Sequence, residues 1–190
     1  MPEPLGIALL GCGTVGGGVV QLLRNRSDHL ARRAGRALEL RHVVVRDISK
    51  QRSCDVPQGL LTTDLAKAIS DSRVNVVVEL VGGTTWAKDA VLAVLAAGKD
   101  VVTANKALLA EFGNEVLTAA HRHGRAVAFE GSVAGGIPII GALTQGLAAN
   151  QITRLQGILN GTCNFILSAM TDDKSDYNTA LAEAQRLGYA

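Results

Sequence analysis

Aromatic side chains are the scarcest feature of this 190-residue chain, at 3%. One tryptophan and two tyrosines cannot build a base-stacking platform, and a core of aromatic-rich strands is excluded; Val, Leu, Ile and Ala must fill the interior. Cysteine is nearly as sparse. Cys12, Cys54 and Cys163 are far apart and show no CxxC spacing, so neither a zinc site nor a disulfide framework is supported, and a reducing, cytoplasmic setting is expected. No apolar run approaches about 18 residues, so no transmembrane helix is expected. The opening MPEPLGIALLGCG has no basic run and carries glycines where a cleavage site would fall, so no signal peptide is expected. With 47% apolar residues and a net charge of +2, a disordered charged tail is excluded as well.

Glycine, by contrast, is abundant at 21 residues, which suits tightly wound α/β units. The length allows one full domain and part of a second. Charge is uneven: residues 1–53 hold nine Lys/Arg against four Asp/Glu, and the remainder ten against thirteen. The basic excess (Arg24, Arg26, Arg32, Arg33, Arg36, Arg41) reads as a solvated helix face and the turn after it. No aromatics are interleaved with it and no reading motif appears, so neither nucleic acid nor a membrane is an expected partner.

The chain alternates regularly. An apolar strand at Leu5–Leu10 runs into Gly11-Cys12-Gly13-Thr14-Val15-Gly16 and a helix carrying Val19, Val20, Leu22 and Leu23. A strand at Leu38–Val45 follows, then a short helix near Asp64–Ser70 with Thr63 as its expected cap. Val74–Val81, β-branched and ended by two glycines, is the strongest strand signal. After it come a helix at Trp86–Ala97, a strand at Asp100–Thr103, a helix from Lys106 to about His123, and a strand at Ala126–Glu130. This order predicts right-handed crossovers and helices on both faces of a parallel sheet, a doubly wound, Rossmann-like α/β domain over residues 1–135. Beyond Glu130 the pattern changes: a glycine-rich link, a helix from Ile139 to Leu147, a strand-like Ile152–Leu159, a turn at Asn160-Gly161-Thr162, and two helices ending near Met170 and Leu187. Residues 136–190 are therefore expected to be a partial second α+β domain. Ile158, Phe165, Ile166 and Leu167 are its expected exposed apolar positions.

The Gly11-x-Gly13-x-x-Gly16 spacing, between a strand and a helix, points to a dinucleotide. Gly11 permits the turn, Gly13 lets backbone approach a pyrophosphate, and Gly16 lets helix pack on strand. The helix start, with its free N–H groups and partial positive charge, favours the anion. Cys12 reads as a small filler between glycines. At the end of the second strand, Arg46 suits a 2′-phosphate, whereas Asp47 beside it would repel one, so NADP is expected with NAD as the alternative. Lys106 lies just past a strand end, where its ammonium can bind a carboxylate or polarise a carbonyl; an exposed lysine opening a helix is equally compatible. Glu130, with nearby backbone carbonyls, could form an oxygen-only cation site, or serve as a buried or capping residue. His29, His42, His121 and His123 share no ligand spacing and read as solvent-facing. Ser132 lacks a nucleophile elbow and a partner base, so hydrolase chemistry is not supported.

Five segments taken in order, Ile7–Gly16 (IALLGCGTVG), Val78–Gly83 (VELVGG), Val101–Ala110 (VVTANKALLA), Phe129–Ile139 (FEGSVAGGIPI) and Asn160–Ile166 (NGTCNFI), together with Ala182–Tyr189 (AEAQRLGY), closely resemble the homoserine dehydrogenase family along the whole chain. That family reduces L-aspartate 4-semialdehyde to L-homoserine with NADPH or NADH, on the route to threonine, methionine and isoleucine. The resemblance implies that Gly11, Gly13, Thr14, Val15 and Gly16 hold the dinucleotide and that Arg46 selects for its 2′-phosphate. It further implies that Thr84 and Lys106 line the nicotinamide and substrate end, with Lys106 the catalytic residue of this segment. A sodium site would use Glu130 with the backbone of Val133, Gly135 and Ile137. Asn160, Gly161, Thr162 and Tyr189 would line the substrate, and the second domain would form a homodimer. The family's acidic residue after its GY motif, and the lysine usually assigned as proton donor, would lie beyond Ala190. A truncated chain that binds cofactor and turns over poorly is thus implied. Another semialdehyde dehydrogenase of the same domain order, or a dinucleotide-sensing module without chemistry, are the alternatives.

Overall fold

The computed structural model describes residues 2–52, 54–57, 59–158 and 160–189. The first apolar run forms β1 (Leu5–Leu10), buried over five of its six residues. Helices α1 (Thr14–Asn25) and α2 (Ser27–Ala34) lead to β2 (Leu38–Val44). A two-residue strand β3 (Leu61–Thr62) and α3 (Leu65–Ser70) precede β4 (Val74–Glu79). Then α4 (Thr85–Ala96), β5 (Asp100–Thr103), α5 (Lys106–His123) and β6 (Val127–Ala128) complete the alternation. The strands make one sheet in the order β3-β2-β1-β4-β5-β6, with every pairing parallel. The chain works outward from β1 through β2 to β3, then returns to β4 and works outward the other way. This reversal lies between β1 and β4, whose carboxyl ends form the crevice of a doubly wound sheet.

Alternation along the strands divides the core between two faces. Leu9, Val20 and Val43 pack with Leu40, Leu61 and Val78 beneath α1. Ala8, Leu10, Val44 and Val77 pack against α3, α4 and α5 through Ala68, Val91, Val94, Leu95, Leu108 and Val116. Each large side chain fully removed from water contributes about 1.5–3 kcal/mol, so the small aliphatic set suffices without aromatics. Lys88 bridges α4 and α5, its ammonium 4.6 Å from the Phe112 ring centre and 3.7 Å from the Glu115 carboxylate.

Several elements differ from the sequence expectation. β3 is an extra edge strand, called up because the N–H groups of Val43 and Val45 find acceptors in Leu60 and Thr62 at 2.7 and 2.9 Å. Helix α3 is capped by Asp64, not Thr63: the Asp64 carboxylate accepts from Lys67 N–H at 3.2 Å. The strand expected at Ala126–Glu130 shrinks to Val127–Ala128, and Glu130 instead opens a 3-10 turn, Glu130–Ser132. His42 is not solvent-facing. It is buried in β2, with Nε2 2.9 Å from the Asp71 carboxylate. Asp71 also accepts from the Arg73 guanidinium and backbone N–H, and these bonds, with His42, hold its carboxyl well below the usual carboxylate range.

By compactness the chain divides into two units, Met1–Gly146 and Leu147–Ala190. Within the first, α6 (Ile139–Gly141) is a single turn that widens into π-helix at Ala142–Gly146, where a regular helix to Leu147 was expected. Glycines at 141 and 146 weaken a regular α ladder there. In the second unit, α7 (Gly161–Asp172) and α8 (Tyr177–Arg186) pack through Ile166, Ala180 and Ala184. Ile166 is thus buried and Phe165 half-buried against the same core rather than exposed, while Ile158 and Leu167 stand 72% and 61% exposed. The strand expected at Ile152–Leu159 does not form over its described residues. The second unit offers no other strand among the described residues to pair with it, and an isolated strand has no ladder to hold it. Residue 159 lies outside the described residues.

Candidate functional site

The turn between β1 and α1 is shaped by two glycines with different duties. Gly11 has φ of +90°, and its N–H donates to the Val44 carbonyl at 2.9 Å, tying the turn to β2. At Gly16 a Cβ would lie 2.3 Å from the Gly11 oxygen, so only glycine lets α1 pack this closely. Gly13 is different again: nothing lies within 4 Å of where its Cβ would be, and its backbone faces open space. Gly13 is also the N-cap of α1 and offers no side-chain acceptor, and the first turn contains no acidic residue. Thr14 and Val15 are exposed at this helix start, Val15 by 61%.

Helix α4 likewise begins without a side-chain cap, at Thr84. Asp64, Asn105, Asn160 and Asp176 cap α3, α5, α7 and α8, while α2, which follows α1 directly, also lacks a side-chain cap. The open starts of α1 and α4 follow β1 and β4, the neighbouring strands at the sheet's reversal point. Leu80 N–H donates to Leu10 O at 2.8 Å, which sets the two turns side by side. Unsatisfied N–H groups and the positive ends of two helix dipoles thus share one crevice with room beside Gly13, the chemistry that receives a diphosphate.

Arg46 stands two residues past the end of β2, exposed and without a hydrogen-bond partner among the described residues. Its neighbour Asp47 is engaged: the carboxylate accepts from Ser49 N–H at 2.8 Å and Ser49 Oγ–H at 2.6 Å, which keep its carboxyl low. Arg52 closes the loop by donating to the carbonyls of Asp47, Ile48 and Lys50.

On the far side, a carboxylate overlooked in the sequence organises the crevice floor. Glu79, at the end of β4, is wholly buried. It accepts from Val81 N–H at 2.9 Å and Gly82 N–H at 3.4 Å through Oε1, and from Thr103 Oγ1–H at 2.6 Å through Oε2. Thr103 Oγ1 in turn accepts from Asn105 N–H, and Asn105 Nδ2 donates to Gly83 O at 2.7 Å while its Oδ1 caps Leu108 N–H. This network joins the β4–α4 turn to the start of α5. The signal for it was a lone acid in the apolar run VNVVVELV, just before two glycines. Lys106 is the first residue of α5, exposed and making no hydrogen bond or ion pair among the described residues. A cation at a helix N-terminus opposes the dipole by about 0.3–1 kcal/mol. The local fold therefore gains nothing from a lysine there.

Glu130 lies on the loop after β6. Its two oxygens accept from Ile140 N–H and Gly141 N–H, both at 2.8 Å, so it caps the α6 turn. Val133, Gly135 and Ile137 follow on the same loop; the Ile137 carbonyl accepts from Ile139 N–H at 2.8 Å. Buried Ser132 donates Oγ–H to the Thr103 carbonyl at 2.9 Å, a packing role. In the second unit Asn160 Oδ1 accepts from Cys163 N–H at 2.8 Å, Gly161 opens α7, and Thr162 Oγ1–H donates to the Tyr189 carbonyl. The Tyr189 ring lies 5.0 Å from that of Phe165. Asn160, Gly161, Thr162 and Tyr189 are thus brought together within that unit. No described helix is long and apolar enough to cross a membrane.

Comparison with known proteins agrees with this geometry. The family profile "Homoserine dehydrogenase, NAD binding domain" matches residues 11–130, and the profile "Homoserine dehydrogenase" matches residues 138–190. The chain is 50% identical over 186 residues to a homoserine dehydrogenase of Corynebacterium glutamicum, and 45% identical over 184 residues to that of Bacillus subtilis. These matches cover 98% and 97% of this chain but 42% of each relative, so the chain spans less than half the length of the curated relatives it matches. The crystal structure of a homoserine dehydrogenase from Thiobacillus denitrificans superposes with a TM-score of 0.86 at 48% identity, covering 99% of this chain and 43% of that one. A hyperthermophilic archaeal homoserine dehydrogenase in complex with NADPH shares the fold, with a TM-score of 0.76 at 24% identity and coverage of 98% and 62%. With its reversal-point crevice, its open helix starts and a family match over most of its length, the chain belongs to the homoserine dehydrogenase family.

Proposed function

We infer that this chain supplies the dinucleotide-binding domain and the opening of the substrate domain of an oxidoreductase that reduces L-aspartate 4-semialdehyde to L-homoserine, a step of amino-acid biosynthesis. One observation carries this: two uncapped helix starts, α1 and α4, face the same crevice, and an exposed lysine opens α5 at the end of the adjacent strand against its own helix dipole. Gly11, Gly13, Thr14, Val15 and Gly16 hold the diphosphate, Gly13 by leaving room and α1 by its free N–H groups. Thr84 borders the nicotinamide end. When bound, the nicotinamide supplies the hydride. Lys106 then holds the substrate's oxygen, or its carboxylate, by charge. Asn160, Gly161, Thr162 and Tyr189 contribute the substrate-side loop of the second unit, and the exposed Ile158 and Leu167 are the surface through which the whole enzyme dimerises. A cytoplasmic setting accords with three free cysteines.

NADP is the preferred cofactor on this proposal. The Asp47 carboxylate is engaged by Ser49, so the Arg46 guanidinium is the group left to meet a 2′-phosphate. A sodium ion at the Glu130 loop would take the remaining lone pairs of Glu130, both of whose oxygens already accept from the Ile140 and Gly141 amides, together with the carbonyls of Val133, Gly135 and Ile137, an oxygen-only set for a hard cation.

Two titrations test the function. NADPH should bind saturably, and replacing Arg46 by Ala should weaken NADP by about 10–100-fold while NAD changes little, as expected for one charge-assisted pair. Consumption of NADPH should be faster with L-aspartate 4-semialdehyde than with an unsubstituted aldehyde and should fall in Lys106→Ala. Absence of dinucleotide binding, or equal rates with both aldehydes, would overturn the assignment.

A further inference from the structure

We propose that Cys12 and Cys54 form an oxidative modification site: a peroxide or a small disulfide joins them in an intramolecular disulfide, which draws the loop after β2 onto the glycine turn and weakens dinucleotide binding. The two Sγ atoms lie 3.7 Å apart although the residues are 42 positions apart in sequence. A disulfide needs a sulfur separation of about 2.05 Å, so the pair is one small loop movement from bonding. Both side chains are half-buried against Leu9, Val20 and Val43, which restrains them side by side without sealing them from solvent. Cys12 sits between Gly11 and Gly13, in the turn that receives the diphosphate. Cys54 lies on the connection between β2 and β3 that also carries Arg46.

The two thiols have different roles. Burial, together with the neighbouring Cys54, pushes the Cys12 thiol up to about 11, Arg52 acting the other way. Cys54, on the loop, is assigned the attack on the oxidant, and Cys12, in the pinned turn, resolves it. With hydrogen peroxide, the Cys54 thiolate attacks one oxygen; the S–O bond forms, the O–O bond breaks, and hydroxide leaves. The Cys12 sulfur then displaces the hydroxyl from the Cys54 sulfenic acid. The S–S bond forms, the S–O bond breaks, and the Cys12 proton leaves with the hydroxide as water. In total two thiols lose two electrons and two protons, and one peroxide becomes two waters. A small disulfide does the same by two thiol exchanges, releasing two reduced thiols.

The direction of the movement follows from what is pinned. The turn is held by the Gly11–Val44 hydrogen bond and by the close approach of Gly16 to the Gly11 oxygen. The described residues of the loop are held by exposed side-chain bonds, Arg24 to Asp55 and Arg52 to the carbonyls of Asp47, Ile48 and Lys50, rather than by a strand ladder. It is therefore the loop that moves, across the carboxyl end of β2 and into the space proposed for the adenosine end of the dinucleotide. Displacement on the ångström scale at such a site weakens binding by about tenfold or more. The disulfide itself is independent of the proposed function; only its effect on binding rests on it.

The test treats the 190-residue chain with hydrogen peroxide or glutathione disulfide, then maps peptides without reduction and titrates NADPH. The expected result is a Cys12–Cys54 linked peptide, a fall from three free thiols to one, and NADPH affinity lowered about tenfold and restored by dithiothreitol. In Cys54→Ser the same treatment should leave affinity unchanged. Cys163, in the other unit, reports general thiol oxidation. Persistence of three thiols, linkage of Cys12 to Cys163, an unchanged NADPH affinity in the linked form, or an equal loss in Cys54→Ser would each overturn the proposal. If the reduced chain binds no NADPH, the function assignment fails, and peptide mapping still decides the disulfide.

Discussion

Replacing Gly16 by alanine puts a methyl group 2.3 Å from the Gly11 oxygen, a backbone atom with no rotamer to change. Carbon and oxygen need more than 3 Å, so α1 must withdraw by about 1 Å at its first turn. Overpacking of this kind costs about 1–3 kcal/mol, and at 2–4 °C per kcal/mol in a domain of this size the melting temperature falls by about 2–12 °C. The same movement carries the N–H groups of Thr14 and Val15 away from the anion, so NADPH affinity falls by about 10–100-fold. Gly13→Ala separates the two effects. No atom lies within 4 Å of the new Cβ, so stability falls only by the cost of a poorer N-cap, under about 1 kcal/mol, while the methyl occupies space the ligand needs. Thermal denaturation followed by circular dichroism and titration by NADPH fluorescence measure both quantities. A Gly13→Ala chain that binds NADPH like the wild type would refute the reasoning, because the open space would then have nothing to do with a ligand.

Other expectations follow from the crevice and the core. Lys106→Ala should raise stability by about 0.3–1 kcal/mol in urea denaturation by removing a cation from a helix N-terminus, yet lower semialdehyde-dependent NADPH oxidation; lower stability with unchanged turnover would contradict it. Glu79→Ala leaves the Val81 and Gly82 N–H groups and the Thr103 hydroxyl without their acceptor, and should cost about 2–4 kcal/mol; a neutral effect on urea midpoint would mean the network contributes nothing. Asp71 has its folded-state pKa depressed, so its contribution is complete above the unfolded value near 3.9 and is lost as pH falls through the folded one. Urea midpoints from pH 7 to pH 2 should therefore show Asp71→Asn less stable by about 1–3 kcal/mol at pH 7, with the gap to wild type closing in acid. A gap that widened in acid would invert the sign.

Much of the sheet is legible because its signals are local. VNVVVELV is β-branched and glycine-ended, Asn105 and Gly124 bracket α5, and the glycine spacing at 11, 13 and 16 sits between a strand and a helix, so β4, α5 and the phosphate turn are all foreseeable. What escaped depends on partners distant in sequence. β3 exists only because two N–H groups of β2's edge need acceptors. The run from Ile152 has the residues of a strand but no ladder to join. His42 has no helical or metal spacing to reveal it, since its partner Asp71 is 29 residues away. Glu79 and the Cys12–Cys54 approach are likewise tertiary facts. At the candidate site, Gly11, Gly13, Gly16 and Lys106 could be chosen from spacing and strand ends, whereas the commitment of Asp47 to Ser49 and of Glu130 to the α6 amides is set by the folded loops.

That the β1–α1 turn and the start of α1 receive the diphosphate can be measured at the atoms concerned. In a two-dimensional 1H–15N NMR titration of the chain with NADPH, the amides of Gly13, Thr14, Val15 and Gly16 should shift saturably with a common dissociation constant, accompanied by Arg46. Saturating NADPH that left those amides unmoved, or moved only amides away from the carboxyl ends of β1, β2 and β4, would contradict it.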